Sequence, residues 1–232
     1  MWLKASGASQ QIETYSNYDV HLQQQKISYY QCLKDFVPTI PNPSFTTINY
    51  DTNRMNFDTK LIDSNLWIQR LKEIKKYDTL QNMQQAFKDI MTCYAKRNSA
   101  YVYNQSQSQI LRRILEVVPD AKKAFWIYAC LIETILPINF FSHTLYPQTL
   151  LQFTETILRG SDKEFFTEMG DSIRLFCLKS FYSLFTNMMD NQEIAFSILD
   201  LLFLYGNPIT SKTFFDDEIE FPQHIKDKVK KR

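Results

Sequence analysis

Apolar residues recur at three- and four-residue steps along this chain of 232 residues, and this spacing limits the possible folds more than any other feature. One such stripe runs from Leu80 to Tyr94, and another runs from Ile110 to Val118. Residues 121–136 are apolar on most sides, which is typical of a helix at the centre of a protein. The chain contains only four glycines, whereas β-sandwiches and dinucleotide-binding folds use many in turns and phosphate loops. We therefore expect an all-α fold.

Prolines and helix-stop residues mark where the predicted helices end. A helix over about 19–37 should end before Val37-Pro38, and the prolines that follow predict a rigid connection up to about Asn49. Gly206 and Pro208 predict the end of the last helix. Further helices are predicted at about 147–158, 162–169, 172–188 and 191–205. In the central helix, the residues expected in the core are Phe125, Trp126, Leu131 and Ile132.

The composition shows no break that would divide the chain into two folding units, and no internal repeat is present. Residues 1–18 are polar, and we expect them to be irregular. Residues 19–210 are expected to form one helical domain, and residues 211–232 a charged tail that is peripheral to it.

Charge and cysteine usage exclude several functional classes. The net charge of +1 argues against a nucleic-acid partner bound through phosphates. The four cysteines are far apart, form no CxxC pair and lie near no histidine, so we expect reduced thiols and no metal site. The longest apolar run, residues 124–132, is too short to cross a bilayer, and the first residues lack the apolar core of a signal peptide. We expect a cytoplasmic protein without a transmembrane segment.

The sequence also lacks the motifs of enzymes that carry their own catalytic machinery. The three histidines are scattered, and no G-x-S-x-G nucleophile motif, P-loop or dinucleotide fingerprint occurs. The acidic run at residues 216–218 is better explained as solvated surface than as a metal site.

Three segments, in this order along the chain, carry a resemblance to a known family. Residues 48–54 match the pattern I-x-x-D-x-x-R, and residues 103–105 match Y-x-Q. Residues 196–206 are similar to a late family helix that contains an Asp, a following Phe and a terminal Gly. Together with the helical background, these segments resemble the TBC domain, the fold of GTPase-activating proteins for Rab-type GTPases.

The resemblance implies a role for four residues. Arg54 would be the arginine finger and Gln105 the glutamine finger, both supplied in trans to the active site of a Rab-type GTPase. Asp51 and Tyr103 would support them. The chain would need no cofactor of its own and would act on no substrate of its own, since the partner would carry GTP and magnesium.

The sequence departs from the family pattern near these residues. Ser106-Gln107-Ser108 follows Gln105 where the family usually has Gly-Met-Asn, and Val102 replaces a Gly before the tyrosine. Without the resemblance, Arg54 would be interpreted as half of a helix ion pair with Asp51, and Gln105 as a solvated helix start.

These departures keep a second functional hypothesis open. The chain could be a TBC-shaped scaffold or adaptor subunit of a larger assembly, for example a cytoskeletal or ciliary one, with weak activity or none. Under this hypothesis its partners include subunits of that assembly, and its location is peripheral to membranes or on the cytoskeleton or cilium.

Overall fold

A computed structural model describes residues 1–18, 28–54, 80–137, 140–141, 145–186 and 192–206. Most of these residues are helical and none of them lies in a strand, which confirms the predicted all-α class. The first five helices are α1 (Trp2–Ala5), α2 (Ala8–Tyr18), α3 (Tyr29–Asp35), α4 (Ser44–Arg54) and α5 (Leu80–Arg97). The next are α6 (Gln105–Val117), α7 (Ala121–Cys130), α8 (Leu145–Ser161), α9 (Lys163–Met169), α10 (Ser172–Tyr182) and α11 (Gln192–Tyr205). A π-helical turn, Leu131–Ile135, continues α7.

Helix α7 is the centre of the large hydrophobic core. It begins where the Asp120 side chain accepts the Lys123 backbone N–H, and it ends in the π-helical turn. All residues from Ala124 to Leu131 are buried, as expected for a helix that is apolar on most sides. Helices α2, α5 and α6 pack around it. The predicted core residues Phe125, Trp126 and Leu131 are confirmed as buried, and Ile132 is partly buried against the same core.

Arg97, at the end of α5, lies inside a cage of aromatic rings. Its guanidinium group binds both carboxylate oxygens of Glu133, at 2.8 and 2.9 Å. The same group lies 5.0 to 5.6 Å from the ring centres of Tyr15, Tyr29 and Trp126. This pairing compensates a charge that is otherwise costly to bury, and it joins α2, α3, α5 and α7.

The beginning of the chain packs against the last described helix. Trp2 is buried, and its ring contacts Phe196 and Phe203 of α11. Its indole N–H donates to the carboxylate of Asp200. Asp200 is therefore a structural anchor.

A second, smaller hydrophobic cluster lies between α8, α9 and α10. Its buried residues are Leu151, Ile173 and Cys177, with partly buried side chains such as Phe166 around them. Several large apolar side chains of these helices face outward instead: Phe153, Ile157, Phe165, Leu175 and Phe176.

Two sequence-based expectations were wrong. Residues 1–18 are not irregular, because Trp2–Ala5 and Ala8–Tyr18 are helical and Gly7, at a φ of +79°, turns the chain between them. The proline-rich connection is also shorter than predicted, because α4 begins at Ser44 directly after Pro43.

The helices predicted at about 147–158, 162–169 and 191–205 agree with the structure within the usual uncertainty of helix ends, and the one predicted at 172–188 ends earlier, at Tyr182. The helix predicted over about 19–37 is described only from Tyr29 to Asp35, where Ser28 caps its start, and residues 19–27 lie outside the described ranges. Gly206, at a φ of +68°, follows α11 as predicted. The expected domain limit at residue 19 and the charged tail at 211–232 lie outside the described residues. None of the described helices is long and apolar enough to cross a bilayer.

Candidate functional site

Helix α4 carries the first motif. Asn42 starts the helix by accepting the Ser44 backbone N–H at 2.8 Å. Ile48 and Thr52 face the core and are buried, and the Thr52 hydroxyl donates to the Ile48 carbonyl at 2.6 Å. Arg54 is the last residue of the helix, and its side chain is exposed. The permanently charged guanidinium group of Arg54 is therefore exposed to solvent, while the opposite face of α4 is packed in the core.

The second motif lies in an extended segment that leads into α6. The backbone at Tyr101 and Tyr103 precedes the helix, and both side chains are buried. Asn104 caps α6 by accepting the backbone N–H groups of Ser106 and Gln107 at 3.0 and 3.3 Å. Gln105 is the first residue of the helix and is exposed. The structure therefore leaves the Gln105 side chain accessible while its backbone is fixed by the cap.

A hydrogen bond joins the two motifs. The Tyr103 hydroxyl donates to Oδ2 of Asp51 at 2.9 Å. Burial and this carboxylate both raise the pKa of Tyr103, so the phenol stays neutral and remains a donor over the physiological pH range. Arg54 lies one helical turn beyond Asp51, and Gln105 lies two residues beyond Tyr103.

Asp51 forms no direct bond with the Arg54 guanidinium group that it was expected to support. Its carboxylate faces Tyr103, and no ion pair joins Asp51 to Arg54 although both residues are described. The simple alternative, a helix ion pair between these two residues, is not formed in this structure. Asp51 can act on the two exposed side chains only by fixing the helix and the loop relative to each other.

A second link between the motifs could not be recognised in the sequence. The Asn42 side chain donates to the Tyr101 carbonyl at 3.2 Å. The Ser44 hydroxyl accepts the Tyr103 backbone N–H at 3.1 Å. Both residues are buried, so these bonds are shielded from competing water. We call Asn42 and Ser44 the loop clamp, because they bind the start of α4 to the segment that precedes Gln105.

The residues that replace the family's usual Gly-Met-Asn have definite roles here. Gln107 is fully buried, and its side-chain oxygen accepts the Tyr101 hydroxyl, which lies 3.0 Å from the hydroxyl of Tyr128. Its amide donates to the Val102 carbonyl at 3.3 Å. Gln107 also completes a capping box with Asn104. The start of α6 is therefore held by side chains rather than by a glycine-dependent backbone shape.

Together these bonds bring Asp51, Tyr103 and the segments bearing Arg54 and Gln105 into one unit. The arrangement offers one exposed guanidinium group and one exposed amide. It is suited to a reaction in which a partner supplies the reacting groups, since neither side chain is an activated nucleophile or base. No group of residues suited to hold a metal ion occurs within the described ranges, and none of the four cysteines, all of which lie in those ranges, forms a disulfide bond.

Comparisons with known proteins extend this description. A family model of the Rab-GTPase-TBC domain matches residues 1–215. Among solved structures, the chain is similar to the TBC domain of a flagellar RabGAP from Chlamydomonas, with a TM-score of 0.60 and 18% sequence identity. The similarity covers 90% of this chain and 61% of that one, so the chain spans less than two thirds of the length of the protein it matches. At this identity the likeness is evidence for the fold.

Proposed function

Because the chain belongs to the Rab-GTPase-TBC domain family, we propose that it is a GTPase-activating protein for a small Rab-type GTPase. It would supply Arg54 and Gln105 in trans to the active site of the partner. The observation that carries this proposal is the Tyr103–Asp51 hydrogen bond, which joins the two motif segments while Arg54 and Gln105 remain exposed.

The residue types fit the chemistry of GTP hydrolysis. The reaction needs an attacking water in line with the leaving group, and it needs neutralisation of the charge that develops on the phosphate oxygens. A guanidinium group provides a permanent charge and a planar donor fork for the second task. A side-chain amide can accept a proton of the water and donate to a phosphate oxygen, which suits the first. The partner would carry the substrate GTP and its magnesium ion.

The family match does not favour the scaffold hypothesis, which rested on the departures after Gln105. Gln107 and Asn104 fix the start of α6 in this chain, and this supports a defined position for Gln105. A cytoplasmic location, and any association with membranes, the cytoskeleton or a cilium, stay predictions.

Single-turnover GTP hydrolysis by a panel of Rab GTPases tests the proposal. The wild-type chain should stimulate at least one member. Arg54→Ala should then remove most of the stimulation, since arginine fingers contribute about 10³–10⁵ in rate. Arg54→Lys should restore little, because an ammonium group cannot reproduce the planar fork. Gln105→Ala should also be severe, and the double variant should be far from additive.

The exposed neighbour Asn53 provides a matched control. Asn53→Ala lies on the same helix and should keep full stimulation. All variants should melt at the wild-type temperature, because the substituted side chains lie outside the core. Equal stimulation by the wild type and by Arg54→Ala would end the finger assignment.

A further inference from the structure

Large apolar side chains are exposed on both sides of the loop clamp. Val37 and Ile40, in the connection between α3 and α4, are 84% and 85% exposed. Phe36, Tyr50 and Val102 are each more than half exposed. We call these five residues the apolar rim. Isolated exposed apolar residues are ordinary, but several around one candidate site indicate a contact surface.

Three of the five rim residues are close in the chain to residues of the candidate site. Val102 lies between Tyr101 and Tyr103, the two residues whose backbones bind the loop clamp. Ile40 lies two residues before Asn42. Tyr50 precedes Arg54 by four residues in α4, so the two side chains share a helix face.

The connection that carries Phe36, Val37 and Ile40 is fixed at both ends. At the α3 end, the Lys96 ammonium group donates to the carbonyls of Leu33 and Lys34, each at 2.9 Å. At the α4 end, Asn42 binds the Tyr101 carbonyl. Prolines at 38, 41 and 43 restrict the backbone between these points. A partner would therefore meet a surface with little conformational entropy left to lose.

The two segments that form the site are also free of charge. Residues 36–50 contain no Asp, Glu, Lys, Arg or His, and residues 98–111 contain none either, in a chain in which 22% of residues are charged. Asp51 and Arg54 are the nearest charges in α4, and the Asp51 carboxylate is bound by Tyr103. An ionic docking surface would need charges here that these segments do not supply.

We infer that the apolar rim is the docking surface for an uncharged, apolar surface of the partner GTPase beside its nucleotide site. This inference rests on the proposed function and adds a division of labour to it. The rim provides affinity through burial of apolar side chains, and Arg54 acts on the charge that develops during the reaction. Binding should therefore depend little on ionic strength, because salt screens charge pairs and not apolar contacts.

The test uses the full chain with the panel member that it stimulates most. Val37→Ser and Ile40→Ser should each raise the concentration for half-maximal stimulation about tenfold. The maximal rate should stay within about twofold of the wild type, because a contact made equally in the ground state and the transition state does not change it. Leu175→Ser is the matched control, since Leu175 is 66% exposed on α10 and belongs to the second cluster. It should leave both parameters unchanged. Between about 0.05 and 0.5 M salt, wild-type affinity should change less than about threefold.

The failures of the inference and of the proposed function are distinguishable. If both rim variants keep the wild-type half-maximal concentration and maximal rate while Arg54→Ala is inactive, the rim is not the docking surface, and the proposed function still holds. If a panel member binds in its GTP-analogue form but is not stimulated, the proposed function is refuted. The affinities of the rim variants for that member then show whether the rim is the docking surface: unchanged affinities would refute it. If the chain binds no panel member, the inference that the rim docks a partner GTPase is refuted as well. A lower melting temperature of the free rim variants, not shared by Leu175→Ser, would mean that the chain itself covers the rim and would also overturn it.

Discussion

The two hydrophobic clusters of this protein are built in different ways. The large core surrounds α7 with interlocking aromatic rings, and hydrogen bonds within it join residues far apart in the sequence, such as Arg97 with Glu133 and Tyr101 with Tyr128. The small cluster of α8, α9 and α10 buries only Leu151, Ile173 and Cys177 and leaves Phe153 and Leu175 largely exposed. Every candidate site residue lies on elements of the large core. The difference suggests that precise positioning is concentrated in the first region, and it can be tested by perturbing each region in turn.

The largest expected difference between the two regions is in how much stability they lose at high pH. Burial raises the pKa of Tyr94, Tyr101, Tyr103 and Tyr128, all in the large core. A raised folded-state pKa means that this stability is fully present below the ordinary tyrosine pKa of 10.0 and is lost as pH rises above it. The large core should therefore unfold completely at high pH, with these tyrosines ionising only in that transition.

Absorbance of tyrosinate and fluorescence of tryptophan measure the two events together. Tyr128→Phe should move the alkaline midpoint to higher pH, because one group that must ionise is gone. Tyr182→Phe, in α10, should move the midpoint less, since Tyr182 is only half-buried and burial raises its pKa to a smaller extent than that of the fully buried Tyr128. Ionisation of all tyrosines near pH 10 without unfolding would contradict the tight closure of the large core.

Truncation at the centre of the large core should have the next largest effect. Trp126 is buried and contacts Tyr15, Tyr29, Phe125 and the Arg97 guanidinium group. Trp126→Ala should cost about 3–5 kcal/mol of unfolding free energy, because it leaves a cavity and removes one wall of the arginine cage. Urea denaturation measures this. A loss below about 1 kcal/mol would show that α7 is not central.

The equivalent truncation in the small cluster should cost less. Ile173 is buried against few neighbours, and the surrounding helices can close part of the space that it leaves. Ile173→Ala should therefore cost about 2 kcal/mol, at the low end for such a change. The same urea experiment applies. A cost equal to that of Trp126→Ala would mean that the two clusters are equally constrained.

A polar change at the loop clamp should cost less again. Ser44→Ala removes the acceptor of the buried Tyr103 backbone N–H and should lower the unfolding free energy by about 1 kcal/mol. Thr46→Ala, at an exposed position of the same helix, is the control and should have no effect. Hydrogen exchange of the Tyr103 amide should also accelerate in Ser44→Ala. An unchanged amide would argue that the clamp does not form.

The weakest effect is expected on the outside of the small cluster. Arg174 binds Glu155 at 2.6 Å, but its side chain is 57% exposed. The hydrogen bond from Arg174 lowers the pKa of Glu155, so any stabilisation is present at neutral pH and is lost as pH falls below the ordinary carboxyl value. Because water screens the pair, Arg174→Ala should leave the melting temperature at pH 7 unchanged. A clear drop in melting temperature would show that this surface is more ordered than its exposure suggests.

Sequence periodicity predicted most of the helices, because apolar residues spaced three and four apart, or in a wholly apolar stretch, indicate a buried helix face without any knowledge of the tertiary structure. Helix α2 was missed because Ser, Gln and Asn dominate it. Within residues 8–15, the apolar side chains that pack against the large core are Ala8, Ile12 and Tyr15. The first half of α4, residues 44–49, was assigned to the proline-rich connection because it has few apolar residues and follows three prolines.

The candidate site could be predicted only in part. A short motif names residue types that suit a chemistry, so Arg54 and Gln105 were identified from the resemblance and the structure leaves both accessible. The loop clamp was not identified, because Asn42 and Tyr101 are 59 residues apart and only the packed helices bring them together. Asn42 in the sequence is indistinguishable from an ordinary turn residue.

The contact between Trp2 and α11 has a consequence for biosynthesis. The indole of Trp2 meets Asp200, 198 positions later, so burial of Trp2 cannot be complete until the last described helix has been synthesised. At synthesis rates of about 5–20 residues per second, the interval is on the order of 10–40 s. Until then the Trp2 side chain lacks its partners in α11, and closure of this part of the core can only follow emergence of residues 192–205 from the ribosome.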